Sequence, residues 1–332
     1  MGRGARLCRP VAPQHRHARH TRLAGGDTLD GMLSTAATMP RTHLARDDWQ
    51  RAVREHAERA DALTGEWRSV RDRHEKHAIE DFLFNYYSVK PSILRRWHPG
   101  PGVVLDGAQD APHTAWRWYR RAGADAVEFD AAQFMADRGS TVDFIEYLTK
   151  RILNRPARFG CFGLHEWAMV YHEDEHRHPL PLRLGEAGTD AVLDGHKIAC
   201  SHFDAFRFFT PDARPLNAIQ PCRESQPELD QAGCLHANMD IYKWATKLGP
   251  AIPGTLLLDA FELAREIRYT DMQASPYDVS AFALPAIPVE TPEGKATYVE
   301  LQRDYAARAQ DLRVRMLNAI TALRTHAAAQ AA

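Results

Sequence analysis

The chain has 332 residues, of which 44% are hydrophobic, enough to bury a substantial core in one large domain or two smaller ones. The formal net charge of −1 excludes a molecule-wide field that would attract nucleic acid or an anionic membrane. The longest apolar runs, such as 252–258, fall far short of the roughly 18 uncharged residues that a membrane helix needs. We therefore expect a globular protein that does not insert into membranes.

The cysteines indicate a reducing compartment. Their number is odd and no two of them form a C-x-x-C pair, so neither a disulfide framework nor a zinc ribbon is expected. The N-terminal arginines are not followed by the apolar stretch of a secretory signal. These features predict a cytoplasmic protein with reduced thiols at Cys8, Cys161, Cys200, Cys222 and Cys234.

Residues 1–42 are rich in Arg and His, contain scattered Gly and Pro, and show little apolar periodicity. This composition predicts a disordered tail. Met32 and Met39 are alternative start sites, and if translation begins at one of them, the residues before it are not part of the protein. We expect residues 43–330 to form a single, mainly helical catalytic domain.

The first half of this domain predicts helices around a small sheet. Apolar residues recur every three or four positions from Trp49 to Val70, which indicates an amphipathic helix, and 79–87 predicts an aromatic-rich helical segment. The Gly and Pro residues of 98–102 predict a turn. Short strands are then expected at 103–105, 116–120 and 126–129.

The second half predicts mostly helices. Ser140 or Thr141 is expected to cap a helix that runs to Leu153, and Thr291 to cap the last helix, with Pro292 at its first position. The predicted fold class is mainly α (α+β), a multi-helix single core with a small β component. The expected helices of this half are 140–153, 163–172, 234–248, 254–269 and 292–326.

A first cluster of polar and aromatic residues spans 159–172. Two glycines between aromatic residues indicate backbone that approaches another group closely, and a helix would place His165 and His172 on one face with Glu166 rotated by about 100°. A histidine and a carboxylate in apolar surroundings have shifted pKa values, which suits acid–base or ligand roles. The alternative is a buried histidine that bonds to a backbone carbonyl.

A second cluster spans 200–209. If this segment is extended, His202, Asp204 and Phe206 point to one side and form a wall that suits a planar ligand. The alternative is a core strand in which Asp204 and Arg207 find partners elsewhere. We favour the functional interpretation, because an aspartate between buried rings is costly unless it is paired.

The third cluster, 234–244, predicts a helix with a polar stripe opposite an apolar face. A solvated charged face is the usual explanation for such a stripe. Alternatively, His236 and Asp240, four residues apart, share a metal ion or a proton path. The stripe consists of His236, Asp240, Lys243 and Lys247.

Together the three clusters offer the donor set of a site with two histidines and a carboxylate for a divalent metal. Their spacing matches no established signature such as H-E-x-x-H. The candidate ligands are His165, His202, His236, Glu166, Asp204 and Asp240.

The same segments resemble a bacterial, actinobacterial-type family labelled 3-methyladenine DNA glycosylase. The resemblance covers about residues 45–325. The matching stretches are EDFLFNYYS (80–88), RRWHPG (95–100), RFGCFGLHEWAMVY (158–171), PLRLG (181–185), CSHFDAFRFFTPDARPLN (200–217), CLHANMDIYKWA (234–245) and ASPYDVS (274–280).

The resemblance implies hydrolysis of the N-glycosidic bond of an alkylated purine, with damaged DNA as partner and no required cofactor. The base must be flipped out and stacked on rings, and a carboxylate must stabilise the positive charge that develops on the sugar. Candidates for that carboxylate are Asp204, Asp240 and Glu166. Candidates for base stacking are Trp167, Phe206, Tyr242 and Trp244, and candidates for phosphate contacts are Lys243, Lys247 and Arg207.

Two alternatives to the glycosylase remain at this point. The first is a metal-dependent enzyme that acts on a small molecule through the histidine and carboxylate clusters. The second is a non-catalytic interaction protein, whose sign would be that Asp204, Asp240 and Glu166 are exposed and far apart.

Overall fold

Long helices make up most of the structure. The computed structural model describes residues 40–176 and 178–332. Helices account for 58% of it and strands for 5%, which confirms the predicted mainly helical class with a small β component. The α-helices are α1 (Arg46–Asp72), α2 (Pro91–Leu94), α3 (Ala131–Leu153), α4 (Leu164–Trp167), α5 (Gly185–Asp194), α6 (Phe203–Phe206), α7 (Gln226–Leu229), α8 (Leu235–Leu248), α9 (Gly254–Ala274) and α10 (Pro292–Ala331).

A four-stranded sheet consists of β1 (Thr42–Leu44), β2 (Val103–Leu105), β3 (Tyr119–Arg121) and β4 (Val127–Phe129). Its strand order is β1-β2-β4-β3, with β1 parallel to β2 and the other pairs antiparallel. Three of its strands lie at or next to the predicted positions, and β1 was not predicted. The predicted tail lies outside the described residues except for 40–42, and Thr42 already belongs to β1.

The core forms where α8 packs against α9 and α10, and α10 packs against α3. Because α8 has neighbours on several sides, nearly all of its residues are buried. Of the two alternatives for the polar stripe on this helix, the solvated face is therefore wrong for His236 and Asp240, which are both buried. Only Lys247, in its last turn, is exposed.

Capping side chains set the beginnings of two long helices. The Thr291 hydroxyl accepts a hydrogen bond from the Gly294 amide at 3.1 Å, as expected for α10. The expected beginning of α3 at Ser140 or Thr141 is wrong, because the Asp130 carboxylate already caps this helix by accepting from the Gln133 amide at 2.9 Å. In residues 40–176 and 178–332, no helix combines the length and apolar composition needed to cross a bilayer.

Two expectations near the site need correction. The predicted helix 163–172 is a single turn, α4, and the chain has left the helical region by His172, whose φ is 54°. Residues 200–209 are not extended, because the amide of Phe206 donates to the His202 carbonyl at 3.0 Å and begins the short helix α6. Phe206 and Phe209, three residues apart, thereby share the side that packs into the core.

Candidate functional site

A strained turn precedes α4 and carries Cys161. Phe162 and Gly163 both have left-handed backbone, with φ of 50° and 71°. This conformation is unfavourable for a bulky residue such as Phe162 and is typical of functional sites. At Gly163 a Cβ atom would lie 3.3 Å from the ring and hydroxyl of Tyr298, so a glycine lets α10 approach this turn closely.

Cys161, His165 and Asp271 form a row of three side chains of kinds that occur in catalytic sites. The Cys161 Sγ lies 3.7 Å from Nδ1 of His165, and Nε2 of the same imidazole lies 2.9 Å from Oδ1 of Asp271. The turn of α4 brings the thiol and the imidazole together, since they are four residues apart, whereas Asp271 comes from α9. A nucleophile, a base and a carboxylate that orients the base are the parts of a covalent-catalysis triad.

Arg268, one turn before Asp271 on α9, supports this row. Its guanidinium donates to Asp271 Oδ2 at 3.2 Å and to Glu166 Oε1 at 3.1 Å. Arg268 and Asp271 are each 1% exposed. The carboxylate that orients His165 is therefore itself held by a buried cation.

The charges of the row favour a thiolate and an imidazolium. A hydrogen bond from the Cys200 thiol and the contact with His165 hold the pKa of Cys161 well below its ordinary value, although burial opposes this. Burial alone would lower the pKa of His165, but the Asp271 carboxylate raises it well above its ordinary value. Burial raises the pKa of Glu166, which Arg268 only partly offsets.

The Cys161 thiol lines a cavity of about 180 Å³. A cavity of about 150 Å³ is known to hold benzene, so this space suits a ligand about the size of one aromatic ring. The wall combines apolar residues with thiols, imidazoles and polar side chains, and it includes the cation Arg158. The chemically versatile residues in it are Cys161, Cys200, Cys234, His165, His236 and Tyr298.

His236 stands between the two other histidines that the sequence singled out. Its ring centroid lies 4.5 Å from that of His165 and 5.4 Å from that of His202. Burial holds the pKa of His236 well below its ordinary value, so the ring is neutral at pH 7. No hydrogen bond to its ring nitrogens is found among the residues that the structure describes.

Asp204 and Asp240 both contact Lys243, next to His202. The ammonium Nζ lies 3.0 Å from each carboxylate. His202 Nε2 lies 3.5 Å from Asp240, and the pKa of Asp240 falls to about 2 because the stabilising effects of His202 and Lys243 exceed that of burial. Asp204, Asp240 and Glu166 are all buried, so the exposed, separate carboxylates expected of a non-catalytic interaction protein are not observed.

The predicted substrate-binding residues lie in different surroundings. Trp167 is fully buried, and its indole N–H donates to the Ala274 carbonyl at 2.9 Å. Arg207 is paired with Asp204 at 3.1 Å. The predicted stacking side chains Phe206, Tyr242 and Trp244 are at most 8% exposed and belong to the hydrophobic core.

Three side chains could hold a metal ion. One ligand atom each from His165, His236 and Asp271 lies within 4.8 Å of the others, and all three residues are buried. Two imidazoles and one carboxylate suit zinc and other first-row metals. This set differs from the six candidates named from the sequence, because Asp271 replaces the carboxylates and His202 is not included.

A second group, Glu66, His77 and Glu80, is equally close together but suits a metal poorly. Nδ1 of His77 accepts a hydrogen bond from the backbone amide of Glu80 at 3.1 Å. The neutral imidazole therefore carries its proton on Nε2, the nitrogen that faces Glu66 at 3.6 Å. No lone pair remains for a cation.

The sequence did not reveal Asp271 or the role of Cys161. Cys161 lies in the first cluster, and its spacing of four residues from His165 is a signal that could have identified the pair. Asp271 is 106 residues from His165. Its only local signal is the pairing of Arg268 with Asp271 along α9, a helix otherwise rich in apolar residues.

Comparison with models of protein families gives no match, and no curated protein and no solved structure matches the chain. The functional conclusion therefore rests on the geometry of the site.

Replacement of Lys243 tests how strongly the paired carboxylates depend on it. In Lys243→Met, Asp204 and Asp240 lose their shared cation inside the protein, and we expect a loss of roughly 3–5 kcal/mol in the free energy of unfolding at pH 8. The loss should be smaller at pH 5, because the carboxyl pKa values rise in the variant and protonation then relieves the repulsion.

Urea unfolding at both pH values measures this effect. Lys247→Met is the matched control, because Lys247 lies on the same helix but is exposed, and its effect should stay within about 0.5 kcal/mol. Equal losses in the two variants, or a larger loss at pH 5, would contradict the assignment.

The metal hypothesis makes a separate prediction. After exposure to Zn²⁺ and removal of the excess, the wild-type protein should retain about one zinc per chain, measured by elemental analysis. His236→Ala should lose it, and His202→Ala should keep it, because His202 is not part of the ligand group. Equal retention by the wild type and His236→Ala, or none by the wild type, excludes this site.

Proposed function

We propose that this protein is an enzyme that uses Cys161 as a covalent nucleophile on a small ligand bound in the adjoining cavity. The observation that carries this proposal is the row of Cys161, His165 and Asp271. The Cys161 Sγ lies 3.7 Å from His165 Nδ1, and His165 Nε2 lies 2.9 Å from Asp271 Oδ1. The thiol at the end of this row lines the cavity. The geometric signature of nucleophilic catalysis is a nucleophile in reach of a base that a third group orients. The reaction class is hydrolysis or group transfer.

The chemistry follows from the protonation states of the pair. The Cys161 thiolate attacks an electrophilic carbon and forms a carbon–sulfur bond, while the leaving group takes a proton from the His165 imidazolium. Water or another acceptor then attacks the same carbon, gives its proton to His165, and releases the thiolate. Asp271 keeps the imidazole oriented through both steps.

Thiol alkylation tests the nucleophile. A thiol of ordinary pKa is only a few per cent ionised at pH 7, so a stable thiolate should react roughly 10-fold or more faster with iodoacetamide. We expect Cys161 to be the most rapidly labelled cysteine, as measured by mass spectrometry of its peptide in the presence of EDTA. His165→Asn should slow this labelling to the rate of an ordinary thiol.

Cys222 is the internal control, because it is half-buried, does not line the cavity, and has no described imidazole neighbour. Its labelling rate should be the same in the wild type and in His165→Asn. If Cys161 reacts no faster than Cys222 in the wild-type protein, it is not an activated nucleophile.

Cleavage of an alkylated purine from DNA, which the sequence resemblance implies, stays a prediction. One observation favours a polyanionic partner: Arg158, Lys295 and Arg303 lie beside the cavity or on the adjacent surface, and no ion pair is found for them among the described residues. Lys295 and Arg303 instead lie over the rings of Phe162 and Phe159, at 5.8 and 5.6 Å. Unpaired cations next to a site suit phosphate contacts.

Release of methylated adenine from alkylated DNA tests this second candidate. Wild-type protein should release the base, and Asp204→Asn or Asp240→Asn should reduce the release if these carboxylates stabilise the developing charge on the sugar. Release no greater than in a protein-free reaction would reject the glycosylase activity, and the cysteine proposal would be unaffected.

A further inference from the structure

We infer that the substrate reacts at a carbonyl carbon and that the Tyr298 hydroxyl donates a hydrogen bond to the oxyanion formed when Cys161 attacks. This inference rests on the proposed function and names the substrate class of the same site. The substrate is an acyl compound whose enclosed part is no larger than about one ring, as the cavity volume of about 180 Å³ requires.

The position of Tyr298 supports this role. The residue lies on α10, is 1% exposed, and lines the same cavity as Cys161. Its hydroxyl approaches Gly163, two residues after the nucleophile, to 3.3 Å from the point where a Cβ would stand. The absence of a side chain at Gly163 thus lets the hydroxyl lie close to the strained turn.

The hydroxyl of Tyr298 is free to bind a ligand atom. In the described part of the chain no group forms a hydrogen bond with it, whereas the hydroxyl of Tyr305, two turns later on α10, is bonded to the Thr270 hydroxyl at 2.7 Å. Burial raises the pKa of Tyr298 well above its ordinary value, so the group keeps its proton and remains a donor. The Cys200 thiol, also in the cavity wall, already has two acceptors within the protein, the Cys161 sulfur and the His202 carbonyl, which lies 3.8 Å away.

A hydrogen-bond donor such as the Tyr298 hydroxyl can assist only those reactions of a thiolate that place negative charge on an oxygen atom. Attack on a carbonyl carbon moves an electron pair onto the oxygen, and in a mostly apolar cavity this negative charge needs a hydrogen-bond donor. Attack on an alkyl carbon or on a disulfide creates no oxyanion. Tyr298 therefore distinguishes acyl transfer from the other thiolate reactions.

Two probes separate these chemistries. p-Nitrophenyl acetate acylates Cys161 through an oxyanion, and iodoacetamide alkylates it without one. In Tyr298→Phe we expect the burst of p-nitrophenol to slow by about 100-fold, which is the effect of removing one oxyanion donor, while the alkylation rate of Cys161 stays unchanged. Tyr305→Phe is the matched control on the same helix and should change neither rate.

The outcomes are distinct. Unchanged acylation in Tyr298→Phe overturns the inference, and so does an equal fall of both rates, because this would show that the ring only supports the fold around the thiol. If Cys161→Ala gives the wild-type burst, the proposed function itself fails, since the thiol is then not the group acylated.

Discussion

The buried carboxylate of Asp271 is the charge on which the polar centre of the protein depends. This centre consists of the row of Cys161, His165 and Asp271 with Arg268, Glu166, His236, His202 and the two carboxylates paired with Lys243. It lies 2.9 Å from His165 and 3.2 Å from Arg268, and these two cations connect it to Cys161 on one side and to Glu166 on the other. Without this anion, burial would lower the pKa of His165, and Glu166 would be the one described carboxylate left to pair with Arg268. The position of α9 therefore fixes both the orientation of the imidazole and the charge balance around it.

Such a centre contributes little to the free energy of unfolding, because its charges lose their hydration when they are buried. Buried ion pairs lose about as much free energy by desolvation as they recover by attraction, and apolar residues of similar volume are often at least as stable. The structure nevertheless places several charged or imidazole side chains in the region where α4, α6, α8 and α9 converge, next to a cavity and a strained turn. Local violations of packing rules of this kind are expected at functional sites.

The two halves of the centre differ in character. Around Lys243 each carboxylate has a cation at hydrogen-bond distance, which is the arrangement of a paired structural cluster. Around Cys161 the thiol lines the cavity, and no hydrogen bond is found for the ring nitrogens of His236 or the hydroxyl of Tyr298 among the described residues. Unsatisfied groups occur in both halves, since neither ring nitrogen of His202 has a hydrogen-bond partner among the described residues. The cavity of about 180 Å³ lies beside Cys161, however, and chemistry needs unsatisfied groups next to space for a ligand.

The sequence by itself determined the helical class, most helices of the C-terminal third and the three segments that contain the polar centre, because periodicity and capping are local properties. It also selected His165, His236 and Asp240 as candidates, and the structure places all three in the buried polar region. It treated 200–209 as extended and left the exposure of the α8 stripe open, since short turns and burial depend on which helices surround a segment. Only the tertiary structure brought Asp271 to His165, because a contact between residues 106 positions apart has no signature in local spacing.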